Sequence, residues 1–292
     1  MAHKAGFVNI LGKPNVGKST LMNALVGEKL SIITSKAQTT RHRIMGIVNS
    51  KDFQIVYSDT PGILEPNYRL HKSMMKNVES ALLDADIFIY ICEVGEKVTE
   101  NPVIEKLKKS EIPVMLLINK IDLSDQPRVE EKMRQWQELL PNAEIMPISA
   151  LLPFNLEKVL DSILQHLPES PPFFPKDEMS DKTMRFFVSE IIREKILCNY
   201  QKEVPYSTEV VVEEYKEEDK IIRIRALIFV SRESQKAIIL GHQGGAIKKV
   251  GTNARKDIEA FVDKKVYLEL FVKVSKDWRN DERQLKRFGY EH

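Results

Sequence analysis

Short apolar runs alternate with amphipathic stretches along the first 166 residues of the chain. The runs that are typical of buried strands are 7–11, 53–57, 87–92, 113–118 and 144–148. The stretches between them have apolar residues at helical spacing. This alternation predicts an α/β domain, a doubly wound and mostly parallel sheet with helices on both faces. Ligands of such a sheet bind at the carboxyl ends of its strands, so the residues after each run are the first candidates for chemistry.

The pattern changes at 167–175, a stretch with four prolines that cannot be helical and predicts a stiff linker. We therefore expect a first domain at 1–167, a linker at 168–180 and a second domain at 181–292. The second domain combines helical patterns and strand-like runs, in the order helix 184–197, strands 207–215 and 221–230, helix, loop 241–244, helix 247–262 and strand 266–274. This order predicts a smaller α+β domain.

Composition excludes several classes of protein. The chain has 292 residues, enough for two ordinary domains, and two cysteines, Cys92 and Cys198. Two distant cysteines are too few for a disulfide framework or a thiolate metal site, and they indicate a reducing cytoplasm. Because the sequence has no run of 18 apolar residues and no apolar leader, we expect a cytoplasmic protein. Peripheral contact with the inner membrane is left open.

The net charge is only +2, but basic residues outnumber acidic ones over 236–292. This excess suits a polyanionic partner near the C-terminus. A mildly basic solvated surface would have the same composition, so charge alone leaves both interpretations open.

The strongest motif is the phosphate loop G-x-x-x-x-G-K-S at 12–19, which follows the first apolar run and opens a helical pattern. Loop amides and a helix N-terminus there would face one anion together, which predicts a nucleoside triphosphate as ligand. Lys18 would reach the β- and γ-phosphates, and the Ser19 hydroxyl would hold Mg²⁺. The residues expected around the phosphates are Gly12, Asn15, Val16, Gly17, Lys18, Ser19 and Thr20.

A second motif, D-T-P-G at 59–62, follows the strand-like run 53–57. Here the Asp59 carboxylate would bind Mg²⁺ through a water, and the Gly62 amide would approach the γ-phosphate because no side chain intervenes. A plain turn is the alternative, since proline and glycine favour turns.

Two further motifs predict which base is bound. N-K-I-D at 119–122 follows the fourth run, and its Asp122 would accept hydrogen bonds from guanine N1 and the exocyclic amine, which adenine cannot supply. Asn119 and Lys120 would brace the phosphate loop and cover the base. After the fifth run, Ser149 and Ala150 begin S-A-L, whose Ala150 amide would bind guanine O6. The alternative is a strand-to-helix turn capped by serine. We therefore predict GTP and GDP as ligands.

These four segments resemble the nucleotide-binding motifs of the Ras-like GTPase superfamily. The polar stretch 36–43 resembles the switch I segment of the bacterial Era GTPases, in which one threonine contacts Mg²⁺ and the γ-phosphate. The resemblance assigns that role to Thr40, with Thr39 as the alternate. A polar loop with an exposed basic cluster is the other interpretation.

The sequence departs from the Ras pattern at Ile63, where a Ras-type enzyme has a glutamine that orients the attacking water. We therefore expect slow intrinsic hydrolysis. Related families with an apolar residue here often use K⁺ held by an asparagine of the phosphate loop, and Asn15 has the matching position. Asn15 as a stabiliser of the loop backbone stays the alternative. The residues expected to take part in hydrolysis are Lys18, Thr40, Gly62 and Asn15.

The second domain contains a G-x-x-G loop at 241–244 between two helical patterns. Its order of elements resembles a type II KH domain, a fold that binds single-stranded RNA. Glycines would let the RNA backbone approach, and nearby isoleucines would form a floor for splayed bases. The residues expected to contact RNA are Lys236, Ile238, Ile239, Gly241, His242, Gln243, Gly244, Lys248 and Lys249.

Together the two domains resemble the Era GTPases over nearly the whole chain, and the stretches 38–43, 190–195, 233–236 and 272–279 carry the likeness. The resemblance implies a monomeric GTPase that acts in small (30S) ribosomal subunit assembly and 16S rRNA maturation. Its KH domain would hold the single-stranded 3′ end of the rRNA, with no DNA partner, and the nucleotide would gate that hold. The alternatives are a GTP-regulated RNA-binding module with negligible hydrolysis and a partner of an RNA-modifying enzyme.

Overall fold

The computed structural model describes residues 2–290, and the chain divides into two compact units. The first unit comprises Met1–Ser31, Thr40–Glu65 and Met75–Asp181. The second comprises Ile32–Thr39, Pro66–Met74 and Lys182–His292.

The first unit is built on a six-stranded sheet in the order β2-β3-β1-β4-β5-β6. Its strands are β1 (Lys4–Leu11), β2 (Ile44–Asn49), β3 (Phe53–Asp59), β4 (Ile87–Glu93), β5 (Val114–Asn119) and β6 (Glu144–Pro147). Only β2 is antiparallel to its neighbour, and every other pairing is parallel. The mostly parallel α/β sheet that the apolar runs predicted is confirmed.

Strand β2 was missing from the predicted strands, and Gly46 explains its weak signal. A Cβ on Gly46 would lie 2.7 Å from Cγ2 of Val26. The strand therefore passes too close to the neighbouring helix for a side chain, and glycine is depleted in strands generally.

The helices that accompany this sheet are α1 (Lys18–Val26), α3 (Pro102–Lys108), α4 (Gln126–Leu139), α5 (Leu156–His166) and α2 (Arg69–Ala81), of which residues 75–81 belong to this unit. Local signals set two of their starts. The side chains of Asn101 and Asp125 accept hydrogen bonds from the first turns of α3 and α4, and a proline stands in the first turn of each helix. One apolar cluster of this unit contains Tyr90, Ile118 and the fully buried Trp136, so this tryptophan is a packing residue.

The proline-rich stretch predicted as a linker belongs to the first unit. The side-chain oxygen of Gln54 accepts hydrogen bonds from the amides of Phe173 (2.7 Å) and Phe174 (3.0 Å). Farther along, the amide of Ile47 donates to the carbonyl oxygen of Met179 at 2.9 Å. The stretch is therefore hydrogen-bonded to β2 and β3 as far as its last residues.

The second unit has a three-stranded sheet in the order β7-β8-β9, with β7 antiparallel and β9 parallel to β8. Its elements are α6 (Met184–Asn199), β7 (Glu209–Glu217), β8 (Ile221–Val230), α7 (Glu233–Leu240), α8 (Gly245–Val262), β9 (Lys265–Val274) and α9 (Glu282–Arg287). Apolar residues of α6, α8 and the sheet, among them Ile192, Ile228 and Ile258, share one core. The order of elements up to β9 is the predicted one.

The segments 32–39 and 66–74 also belong to this second unit, whereas the sequence placed them in the domain 1–167. In the second segment the amide of Leu70 donates to the carbonyl oxygen of Arg279 at 2.9 Å, and Arg69 pairs with Glu282 at 2.8 Å. Among residues 2–290, no helix has the length and apolar character needed to cross a bilayer.

Candidate functional site

The phosphate loop turns sharply between β1 and α1, and two of its glycines are sterically required. Gly12 has φ 151° and Gly17 has φ 106°, backbone conformations that side chains disfavour. A Cβ on Gly12 would lie 2.3 Å from the carbonyl oxygen of Ile91. On Gly17 it would lie 2.2 Å from Nδ2 of Asn119. The loop therefore packs directly against the ends of β4 and β5.

Lys18 is only 5% exposed, and its ammonium is held by the loop itself. Nζ donates to the carbonyl oxygens of Gly12 at 3.1 Å and Lys13 at 2.7 Å. Burial lowers the pKa of Lys18 to about 8, although the negative charges of Asp59 and Glu96 act in the opposite direction. A positive charge is thus kept in an unfavourable environment where an anion would stabilise it.

Three oxygen-bearing side chains meet at the start of α1. Ser19 Oγ donates to Asp59 Oδ2 at 2.7 Å and lies 2.9 Å from Thr40 Oγ1, which itself lies 3.2 Å from Asp59 Oδ2. Asp59 is fully buried, and its other oxygen, Oδ1, has no hydrogen-bond partner. Burial raises the pKa of Asp59, while the Ser19 hydrogen bond and the Lys18 charge oppose that rise. Hydroxyl and carboxylate oxygens with an unpartnered buried atom are a donor set that fits Mg²⁺.

The structure distinguishes between the two threonines that the sequence left open. Thr40 Oγ1 lies in the oxygen cluster. Thr39 Oγ1 instead donates to the carbonyl oxygen of Lys36 at 2.6 Å and lies 2.7 Å from Thr34 Oγ1. Of the two, only Thr40 is placed to contact a metal ion held by Ser19 and Asp59.

The D-T-P-G segment lies against the phosphate loop at Gly62. A Cβ there would come within 2.7 Å of three atoms of Pro14, so the backbones are in direct contact. The amide of Ile63 donates to the carbonyl oxygen of Gly12 at 3.1 Å, and its side chain packs against the apolar cluster of the sheet. This side chain has no group that could orient a water. Asn15 is exposed with φ 63°.

The loops after β5 and β6 are joined by Asn119. Its Nδ2 donates to the carbonyl oxygen of Val16 at 2.8 Å, a contact that braces the phosphate loop. Its Oδ1 accepts from the amide of Ala150 at 3.0 Å, so in this structure that amide, predicted to bind guanine O6, is bonded to Asn119. Asp122 is exposed and accepts a hydrogen bond from Ser149 Oγ at 2.7 Å. Lys120 pairs with Glu93.

Sequence reasoning missed a set of exposed apolar side chains in these same loops. Leu123 is 78% exposed and Leu151 is 75% exposed, and Leu152 and Phe154 are also exposed. Their position directly after N-K-I-D and S-A is the signal that would have identified them. They supply apolar surface beside the predicted site for the base.

The G-x-x-G loop of the second unit joins α7 to α8. Gly241 has φ 69°, and a Cβ there would lie 2.6 Å from Cβ of Ala246. His242, Gln243, Lys248 and Lys249 are exposed. Gly244 (φ 75°) has no atom within 4 Å of the position that a Cβ would take, and Lys236 is half-buried.

Ile238 and Ile239 of α7 were both predicted to contact RNA, and the prediction is wrong for Ile239. Ile238 is 51% exposed and is free to contact RNA, whereas Ile239 is completely buried and belongs to the core. Because these residues are neighbours on a helix, they point about 100° apart, and here the direction of Ile239 is toward the core.

A groove of about 280 Å³ runs between α8 and β9, beside the G-x-x-G loop. Its lining residues are Ile247, Lys248, Gly251, Thr252, Arg255, Leu268 and Leu270. Apart from Lys248 the sequence did not identify them, because they come from a helix and a strand that only the tertiary structure brings together. The combination of apolar floor and basic rim suits a single-stranded nucleic acid.

Comparisons with known proteins agree with both halves of this description. Residues 7–120 match the family described as 50S ribosome-binding GTPase, and residues 203–279 match the KH domain family. The GTPase Era of Syntrophus aciditrophicus is 46% identical over 98% of this chain and 95% of its own length. The GTPase Era of Clostridium kluyveri is 44% identical over 98% of this chain and 99% of its own length.

The chain belongs to the Era GTPase family.

Solved structures of the Era family have the same architecture. The structure of Era in complex with MgGDPNP and nucleotides 1506–1542 of 16S ribosomal RNA is 39% identical, covers 99% of this chain and 100% of its own, and superposes with a TM-score of 0.93. The structure of a point variant of Aquifex aeolicus Era bound to GDP·AlF4⁻ gives the same values. As an Era GTPase, the chain is an enzyme with a GTPase domain and a C-terminal KH domain.

In this Era GTPase, triphosphate binding is expected to be coupled to proton uptake at Lys18. The free protein loses the Lys18 proton above pH 8, because its pKa is lowered to about 8, whereas phosphates next to Nζ favour the charged form. Affinity should therefore fall as the pH rises above 8, by up to about tenfold per pH unit. Calorimetry at pH 8.5, roughly half a unit above that pKa, in two buffers of different ionisation enthalpy measures the uptake.

Lys13→Met is the matched control, since Lys13 lies in the same loop but is paired with Glu96 at 2.8 Å. It should keep the proton uptake, and Lys18→Met should remove it. Equal proton uptake in Lys18→Met and the unmodified chain would contradict the assignment to Lys18.

Proposed function

We propose that this Era GTPase is a GTP-hydrolysing switch that binds the single-stranded 3′ end of 16S rRNA during assembly of the 30S subunit. The observation that carries the proposal is the oxygen cluster of Ser19, Thr40 and Asp59 beside Lys18, in a chain whose second unit has a G-x-x-G groove. The similar Era structure that contains MgGDPNP and 16S rRNA nucleotides supports the choice of both ligands. We also propose that the protein acts as a cytoplasmic monomer without a DNA partner.

In this proposal the phosphates lie in the loop between β1 and α1. Lys18 would contact the β- and γ-phosphates, and the amide of Gly62 would approach the γ-phosphate across Pro14. Mg²⁺, held by Ser19, Thr40 and Asp59, would neutralise charge that develops between the β- and γ-phosphates. The loop amides of Gly12, Asn15, Val16, Gly17 and Thr20 would complete the anion site.

Guanine would bind where the loops after β5 and β6 meet. The Asp122 carboxylate would accept from guanine N1 and the exocyclic amine, and the hydrogen bond from Ser149 Oγ to Asp122 Oδ1 would hold that carboxylate in place. Lys120 would cover the base with its methylenes. The Ala150 amide would turn from Asn119 to guanine O6.

RNA would bind along the groove between α8 and β9. The absence of side chains at Gly241 and Gly244 lets a phosphate backbone approach the loop, and Lys248, Lys249 and Arg255 supply positive charge. Ile238 and the two leucines of β9 would contact bases.

Ile63 has no group that could orient the attacking water, so efficient hydrolysis would need another contribution. We propose that K⁺ bound by Asn15 supplies positive charge that stabilises the transition state. The test is GTP hydrolysis under multiple turnover in K⁺ and in Na⁺, with and without a short RNA that matches the 16S rRNA 3′ end. Stimulation by both K⁺ and RNA is expected.

Asn15→Gly is the informative variant, because glycine keeps the backbone at φ 63° without strain and removes only the side chain. It should respond equally to K⁺ and Na⁺ while still binding GTP. If Asn15→Gly is still stimulated more by K⁺ than by Na⁺, Asn15 does not bind K⁺ and only stabilises the loop. Hydrolysis that stays negligible under every condition would favour an RNA-binding module that GTP only regulates.

A further inference from the structure

The segment 32–39 of the second unit is fixed to α6 through its main chain. The amide of Ile33 donates to Glu194 Oε1 at 3.2 Å, and the carbonyl oxygen of Thr39 accepts from Nη2 of Arg193. Both side chains are nearly inaccessible, with Glu194 4% exposed and Arg193 0% exposed. Hydrogen bonds to buried charged groups are among the stronger ones in proteins, so the two ends of the segment are firmly held.

Arg193 is itself held in one orientation by Glu190, one helical turn away. Its Nε donates to Oε1 at 2.7 Å, and Nη2 donates to Oε2 at 2.5 Å, so the contact is bidentate. Glu190 is 4% exposed. A planar guanidinium locked in this way directs the second N–H of Nη2 toward the carbonyl oxygen of Thr39 and has little freedom to turn elsewhere.

Between these two ends, Lys36 connects the same segment to Tyr200, the first residue after α6. Its Nζ donates to the carbonyl oxygen of Tyr200. The hydroxyl of Tyr200 in turn donates to the carbonyl oxygen of Ile239 at 2.6 Å, in a buried environment. Ile239 lies in the final turn of α7, two residues before Gly241. One tyrosine therefore joins the segment 32–39 to the start of the G-x-x-G loop.

We propose that Tyr200 is a coupling residue that links the order of the segment 32–39 to the conformation of the G-x-x-G loop. The inference rests on the proposed function, because it is Thr40, the residue after this segment, that would contact Mg²⁺ and the γ-phosphate. In this coupling, the γ-phosphate of GTP and its Mg²⁺ would order Thr40 more than GDP does. The ordered segment would present Lys36 to Tyr200, which positions the end of α7 for RNA. Linkage is reciprocal, so RNA would favour GTP over GDP by the same factor.

The experiment compares the Kd for a short single-stranded RNA that matches the 16S rRNA 3′ end in the presence of a nonhydrolysable GTP analogue and of GDP, in the full chain. The unmodified protein should show a ratio of at least about fivefold between the two nucleotide states. Tyr200→Phe removes only the hydroxyl bond to Ile239, and the ratio should fall to within about twofold of one. Lys36→Met should lower the ratio to the same extent. Because both residues would act through one connection, the double variant should show the same ratio as either single variant.

Tyr215→Phe is the matched control, since Tyr215 is a half-buried tyrosine on β7 that packs against the same core. It should keep the full ratio and a similar melting temperature. A Tyr200→Phe protein that keeps the ratio of the unmodified chain overturns the role of Tyr200 and leaves the switch intact. A ratio of one in the unmodified chain overturns nucleotide gating itself, and Tyr200 with it. If Tyr200→Phe does not fold, the ratio measured for Lys36→Met decides. The Lys36 side chain is partly exposed, so its replacement should not prevent folding.

Discussion

Replacing Gly17 by alanine is expected to lower the affinity for both GTP and GDP by about a hundredfold. The added Cβ would lie 2.2 Å from Asn119 Nδ2, in a backbone conformation of φ 106°. The clash and the left-handed strain each cost about 1–3 kcal/mol, and relief requires the phosphate loop to move away from Asn119. That movement would misplace the amides that face the phosphates. Calorimetric titration with each nucleotide measures the loss.

Gly27→Ala is the control for this prediction. Gly27 ends α1 with φ 83°, but no atom lies within 4 Å of the position that a Cβ would take. This variant should lose about 1 kcal/mol of folding stability and keep its nucleotide affinity. If Gly17→Ala bound GTP as tightly as Gly27→Ala, the loop would not be the phosphate site.

Replacing Asp122 by asparagine is expected to reverse the base preference of the enzyme. The asparagine carbonyl can still accept from one of the two guanine donors, but its NH2 group is a donor, so the other guanine donor is left unpaired. Affinity for GTP should drop by about two orders of magnitude. Xanthosine triphosphate has an oxygen in place of the exocyclic amine and should bind better to the variant than GTP does.

Asp125→Asn provides the comparison, three residues along the same loop. Asp125 caps α4 by accepting from the amide of Arg128 at 3.0 Å, and asparagine is an equally good cap. This variant should keep its preference for GTP. Displacement of a bound fluorescent guanine nucleotide by GTP and by xanthosine triphosphate measures the preference of each variant. An unchanged preference for GTP in Asp122→Asn would show that Asp122 does not contact the base.

The parts of the site that the sequence predicted are those set by a few consecutive residues at the end of a strand. The glycines of the phosphate loop and the position of Asn119 follow from local backbone geometry and from the order of parallel strands. Even the contact of Asn119 with the loop is a consequence of two neighbouring strands ending at one edge, and the structure places its Nδ2 2.8 Å from the carbonyl oxygen of Val16.

The parts that the sequence could not predict depend on contacts between distant residues. The choice of Thr40 over Thr39 rests on which hydroxyl reaches Ser19, and adjacent threonines in an irregular loop carry no periodic signal. The burial of Ile239 was missed because α7 is short, and two isoleucines in a row leave its buried face undefined. The groove residues Leu268 and Leu270 alternate along a strand in the usual way, and nothing local says that α8 leaves them partly uncovered.

The second unit is discontinuous in sequence, and this limits what a truncated chain can report. A fragment that begins at residue 182 contains α6 but lacks the carbonyl of Thr39, so the buried guanidinium of Arg193 loses an acceptor at a cost of about 1–3 kcal/mol. RNA affinities measured on such a fragment would describe a weakened protein. A faithful isolated unit would have to carry 32–39 and 66–74 as grafted peptides, which makes it a problem of protein engineering.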